Sequence, residues 1–279
     1  MPEGYFTYKS FNIYYRTAGS GEPLVLLHGF GEDGTVWHNQ VKALQSDAFI
    51  ITPDFPGSGK SILNPADFTE ENSQLLDSLV FYADAIAALL HHLNITRCSL
   101  LGHSMGGYIA LAFAQKYPHL LKAFGLLHST SFADTDEKKE TRRRGIALME
   151  AHGGYSFLKN TIPNLFTASY KKDFSVEIDG LIEKAKDFQT KALQSYSRAM
   201  IYRPDRTIVL KEAKVPVLII AGDEDIVVPL NDSLFQSHQP KTCQINVLKN
   251  TAHMGMWEAA AQMNEYILAF LRLVEELGE

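Results

Sequence analysis

The stretch "CSLLGHSMGGYIALAF", residues 98–113, constrains this chain more than any other. A continuous apolar run ends at Gly102, and a run with helical spacing begins within a few residues. Gly102-His103-Ser104-Met105-Gly106 is therefore G-x-S-x-G at a strand-to-helix turn, the pattern that exposes a nucleophilic serine. So tight a turn leaves no room for side chains two positions before and two after the serine, and glycine meets that need. Gly107 and Ala110 continue the small face along the helix. The turn places the Ser104 hydroxyl at the carboxyl end of a buried strand, where open α/β sheets bind their ligands.

The rest of the chain supplies such a sheet. "YFTYKSF" and "NIYYRTAG" alternate in the manner of an antiparallel pair. "PLVLLHG", "AFIITPD", "CSLLGHS", "LKAFGLLHS", "VPVLIIAGDED" and "CQINVLKNTAH" are apolar runs of the kind buried on both faces. Helical patterns separate them, including one long amphipathic helix over 75–95 and a last one over 258–277. Strands alternating with helices predict an α/β protein with a mostly parallel central sheet flanked by helices. The alternation stops between 131 and 210, where helical, charged and aromatic segments replace it. The expected organisation is a core of 1–130 and 211–279 with a helical cap inserted at 131–210.

A serine hydroxyl needs a base to become a nucleophile. Of the ten histidines, His253 follows the last strand directly and precedes the last helix, at the sheet edge that Ser104 faces. His28 and His103 flank glycine turns and are expected to be structural, and His91 and His92 close a helix, where a cation suits the dipole. The base needs a carboxylate to orient it. Among Asp223, Glu224 and Asp225 after the preceding strand, Asp225 is preferred and Asp223 is read as turn-forming. The chain order is then Ser104, Asp225, His253.

A competing motif lies upstream. Gly29, Gly31 and Gly34 read G-x-G-x-x-G after a strand, and Asp54 stands 20 residues beyond, where a dinucleotide site would hold a ribose. Glu32 and Asp33 lie inside that loop and would repel a pyrophosphate, so no cofactor is expected. Asp54 is expected to hold loops by hydrogen bonds instead. No HExxH or spaced Cys/His set calls for a metal.

Composition excludes further classes. The chain has 279 residues with 26 Lys and Arg against 32 Asp and Glu, a net charge of -6, so nucleic acid is not an expected partner. The one basic cluster, "KKETRRRG", is mixed with acids and reads as a solvated helix face. No apolar run reaches a membrane span, the N-terminal residues do not read as a signal peptide, and Cys98 and Cys243 are far apart. The expectation is a soluble, cytoplasmic protein acting on a small molecule, with oligomeric state unreadable.

"HGFG" (28–31), "DFPGSGKS" (54–61), "GHSMGG" (102–107), "GDEDIVVP" (222–229) and "AHMGMWE" (252–258), in this order, resemble the α/β-hydrolase fold superfamily over nearly the whole chain. The resemblance implies a serine-nucleophile, esterase-like member with a helical cap. It implies that the backbone N–H groups of Phe30 and Met105 form the oxyanion hole. Trp37, His128 and Trp257 are candidate pocket residues, with core packing an equal reading for the two tryptophans. Ester cleavage through an acyl-enzyme is the leading expectation. C–C bond hydrolysis of diketo acids, and a member that binds a small molecule without turning it over, are the alternatives.

Overall fold

Leu24, Val25, Leu26 and Leu27 are all fully buried, as are Leu100, Leu101 and the run 217–220. Strands with both faces apolar are stable only inside a covered sheet, and the computed structural model, which describes residues 2–278, has one. Its eight strands are β1 (Glu3–Tyr8), β2 (Phe11–Ala18), β3 (Glu22–Leu27), β4 (Ala48–Pro53), β5 (Cys98–His103), β6 (Leu121–Leu127), β7 (Val217–Gly222) and β8 (Cys243–Leu248). They lie in the order β1-β2-β4-β3-β5-β6-β7-β8. β1 and β2, and β2 and β4, pair antiparallel; every other pair is parallel. The parallel register aligns the carboxyl ends of β5, β6, β7 and β8 along one edge. Whatever follows those strands is thereby brought together.

Helices cover the sheet. Leu79–His92 packs on Met105–Lys116, and His38–Leu44 packs on Ala260–Gly278. The single helix predicted over 75–95 is instead two, Glu70–Leu76 and Leu79–His92, bent by 84°. Ser78 between them is extended (φ -129°, ψ 122°), and two contacts hold the break. Asp77 takes an ion pair from Arg198 Nε at 2.6 Å, and the Tyr82 hydroxyl donates to Leu76 O at 2.7 Å. Among the described residues no single helix is long and apolar enough to cross a membrane; the bent pair passes that test only jointly, and its Phe81, Tyr82, Leu89 and Leu90 are core residues.

Between β6 and β7 the chain is helical, as Asp136–His152, Gly154–Thr161, Ala168–Asp173, Ser175–Lys184, Thr190–Ile201 and Thr207–Lys211 with short 3₁₀ turns between some of them. Thr190–Ile201 is tied to the stretch 56–63 by polar bonds. Its Tyr196 is fully buried, donates to Pro56 O at 2.7 Å and accepts from the Ser58 hydroxyl at 2.9 Å. Gln189, just before it, exchanges two bonds with the Leu63 backbone at 2.8 and 2.6 Å.

Candidate active site

Ser104 sits between β5 and the helix Met105–Lys116 with φ 50° and ψ -114°, a conformation that costs a non-glycine residue energy. Its neighbours show how the turn is enforced. A Cβ on Gly102 would lie 2.2 Å from the backbone of Gly106, and one on Gly106 would lie 2.5 Å from Leu27 O. Both obstacles are main chain and cannot swing aside. The Ser104 N–H donates to Leu127 O at 3.0 Å, and the Ser129 hydroxyl donates to Ser104 O at 2.7 Å, so β6 holds the turn from the side.

His253 follows β8 and is buried; its N–H donates to Leu165 O, which ties it to the helical segment. Its Nδ1 meets Asp225 Oδ2 at 2.8 Å. Asp225, three residues past β7, has a fully buried carboxylate whose Oδ1 accepts the N–H groups of Val227 and Val228 at 2.9 and 3.0 Å. Burial alone would raise its pKa. The neighbouring His253, the hydrogen bond from His128 and the one from His253 outweigh that, and hold the carboxyl well below the usual range. Asp223, by contrast, is exposed and accepts only from the Thr251 N–H at 3.3 Å.

His128 is the residue whose place the sequence conceals. It follows β6 with φ 50°, is fully buried, and puts Nδ1 3.1 Å from the same Asp225 Oδ2. Its Nε2 has no hydrogen-bond partner. Burial is the largest influence on it and pushes its pKa down to about 4 despite Asp225. It does not line the cavity, which corrects the expectation that it would. The three side chains His128, Asp225 and His253 place possible ligand atoms within 4.8 Å of one another, a spacing the Nδ1 to Oδ2 hydrogen bonds account for.

Ser104 and His253 open into a cavity of about 380 Å³. Phe30, Glu32 and Tyr108 line it from the sheet side, and Phe157, Leu158, Ile162, Leu165 and Met200 from the helical segment. Phe30 therefore borders the same space as Ser104, and Met105 opens its helix, so its N–H has no partner within that helix. Trp37 and Trp257 do not reach the cavity. Trp37 is fully buried against His103, and Trp257 donates to Val36 O at 3.1 Å beside His38. Their size is used for packing.

Arg142 in the basic cluster also departs from a plain solvated face. It lines the cavity and donates from Nε to Asp134 Oδ2 at 2.6 Å, while Arg143 and Arg144 are exposed. Glu32 Oε2 accepts the Gly29 N–H at 2.6 Å and meets His103 Nδ1 at 3.0 Å, and His103 Nε2 meets His253 O at 3.0 Å. Burial lowers the His103 pKa, but Glu32 more than reverses this and leaves it raised. Asp54 is fully buried, holding Arg16 at 2.7 Å and the N–H groups of Gly34 and Lys60 at 2.8 and 2.9 Å.

Comparison with known proteins agrees with this architecture. Residues 22–149 match a family model for the alpha/beta hydrolase fold. A thermophilic esterase from Thermogutta terrifontis, solved with malate bound, superposes with a TM-score of 0.89 at 26% identity, covering 98% of this chain and 99% of the other. The chain has the α/β-hydrolase fold. Among this hydrolase's sequence relatives is a 2-hydroxy-6-oxononadienedioate/2-hydroxy-6-oxononatrienedioate hydrolase of Burkholderia vietnamiensis, 29% identical over 93% of this chain and 91% of that protein. An (E)-2-((N-methylformamido)methylene)succinate hydrolase of Acinetobacter baylyi is 25% identical over 92% of this chain and 93% of that one.

Proposed function

We propose that this protein is a serine hydrolase that cleaves a small carboxylic ester through an acyl-enzyme at Ser104. The observation that carries the reading is the His253 Nδ1 to Asp225 Oδ2 bond at 2.8 Å, beside the cavity that Ser104 and His253 share. With Nδ1 committed to the carboxylate, the other ring nitrogen of His253 is the one that takes the Ser104 proton. Ser104 Oγ then attacks the ester carbonyl. The Phe30 and Met105 N–H groups receive the negative oxygen, each donor contributing about 2.7–4 kcal/mol by analogy with measured oxyanion donors. Collapse expels the alcohol, which takes the proton from His253. His253 then deprotonates a water that attacks the acyl carbonyl, and the acid leaves as Ser104 regains its proton. Asp225 stays ionised throughout, and residues 131–210 act as a cap that shapes the acyl or alcohol pocket.

A fluorophosphonate probe tests this directly: we expect it to label Ser104 alone. Ser104→Ala is expected to abolish p-nitrophenyl butyrate turnover without moving the melting temperature. Comparable turnover in that variant removes Ser104 from the mechanism. The relatives named for 2-hydroxy-6-oxo-dienedioates favour a second reading, C–C bond hydrolysis. Loss of dienoate absorbance on mixing with such a substrate, at a rate exceeding that with esters, would select it.

A further inference from the structure

Two imidazoles share one carboxylate oxygen in this fold. Asp225 Oδ2 is 2.8 Å from His253 Nδ1 and 3.1 Å from His128 Nδ1. An ionised carboxylate only accepts, so the proton in each bond sits on the histidine. His128 then has a bare Nε2, and that atom is buried without a partner. A charged His128 would instead bury an unsatisfied N–H, so the ring stays neutral. The site is built to receive it: a Cβ on Gly255 would lie 2.3 Å from His128 Nε2, and His128 itself adopts φ 50°, a backbone that favours glycine or asparagine. An unpartnered nitrogen and an unfavourable backbone are both tolerated at this one position, and the bond gained is to the carboxylate that orients His253.

We propose that His128 is a positioning residue for the hydrolytic reaction. Its Nδ1–H fixes the Asp225 carboxylate in the plane His253 needs and draws off part of the negative charge that holds the His253 imidazolium. The groups facing this pair are few. Asp225 and His253 contact His128 from the ends of β7 and β8, with the His253 ring 5.9 Å away. The His103 ring from the end of β5 lies 6.1 Å away, with Glu32 bonded to its far side. Removing the His128 donor leaves Asp225 with one fewer neutral partner, so the imidazolium at His253 is held more strongly and gives up its proton less readily.

This inference rests on the serine-hydrolase reading, and the experiment separates the two. His128→Asn keeps a donor near the Nδ1 position and tolerates positive φ; His128→Gly tolerates the backbone and has no donor. With p-nitrophenyl butyrate, His128→Gly is expected to lower kcat about 10- to 100-fold, the range for a hydrogen bond to a charged group. Its acidic limb in kcat/KM against pH moves to higher pH, and His128→Asn restores both. A His128→Gly variant that melts lower but keeps the wild-type kcat and pH profile overturns the proposal. A measurement without substrate stands apart from ester chemistry. In ¹⁵N-histidine-labelled protein at neutral pH, His128 is expected to show a protonated Nδ1 and a bare Nε2, and the Nδ1–H proton of His253 to shift in His128→Gly. The opposite tautomer at His128, or an unmoved His253 proton, rejects the bond even if the hydrolysed substrate proves not to be an ester.

Discussion

Asp54 and Asp225 are both buried aspartates just past the carboxyl end of a strand, and they do opposite things. Asp54 is surrounded by donors that never change: the Arg16 guanidinium and the N–H groups of Gly34 and Lys60. It locks the glycine loop, β2 and the 54–61 turn into one unit. Asp225 takes two fixed backbone donors on Oδ1 and two imidazoles on Oδ2. One of those imidazoles changes charge in the proposed reaction. On the proposed reaction the two buried carboxylates differ in whether a partner changes charge, and their depth of burial is alike.

The comparison breaks if the two sites respond alike. The largest expected effect is on Asp225→Asn, which should lower kcat by about 10⁴, as loss of the orienting acid does in a serine protease. Steady-state kinetics on a variant of unchanged circular dichroism checks it. Asp54→Asn should do the reverse. Removing one partner of a buried pair leaves Arg16 uncompensated and costs about 3–5 kcal/mol. Urea unfolding reads that loss, while kcat per folded molecule stays near wild type. A kcat collapse in stable Asp54→Asn would erase the distinction.

The smallest effect is on the pH dependence of stability. Burial holds the folded His128 pKa at about 4, against an ordinary 6.5. Below 6.5 the unfolded chain binds a proton that the folded one refuses, so His128 removes stability as pH falls from about 6.5 towards 4, by up to about 1.4 kcal/mol per pH unit. His128→Asn should remove that share of the slope in urea midpoints. Asp225, whose carboxyl is depressed from 3.8, contributes stability that is lost only at lower pH still, so the two windows separate.

Strands β3 to β7 were legible because strands buried on both faces leave an unbroken apolar run, whereas β1 and β2 announce themselves by alternation and the edge strand β8 is only half-buried. Ser104, His253 and Asp225 were legible as positions after β5, β8 and β7. Less was visible where a contact depends on two distant segments. The break at Ser78 is held partly by Arg198, 120 residues on, and the hydrophobic period runs straight through it. His128 directly follows the apolar run of β6, but its bond to Asp225 follows from β6 and β7 being neighbours, which only the sheet order reveals. The two tryptophans near the turns carry no signal separating packing from substrate contact, because a large apolar ring serves either.

Tyr196, Gln189 and Arg198 fasten the helix Thr190–Ile201 to residues 56–77 through named polar bonds. That seam sets a rule for recombination. A chimaera that transplants a foreign helical segment between β6 and β7 must bring these three side chains along, or exchange the 56–77 stretch with it. Otherwise the graft strands a buried carbonyl at Pro56 and a carboxylate at Asp77, and the junction fails for reasons unconnected with the chemistry at Ser104.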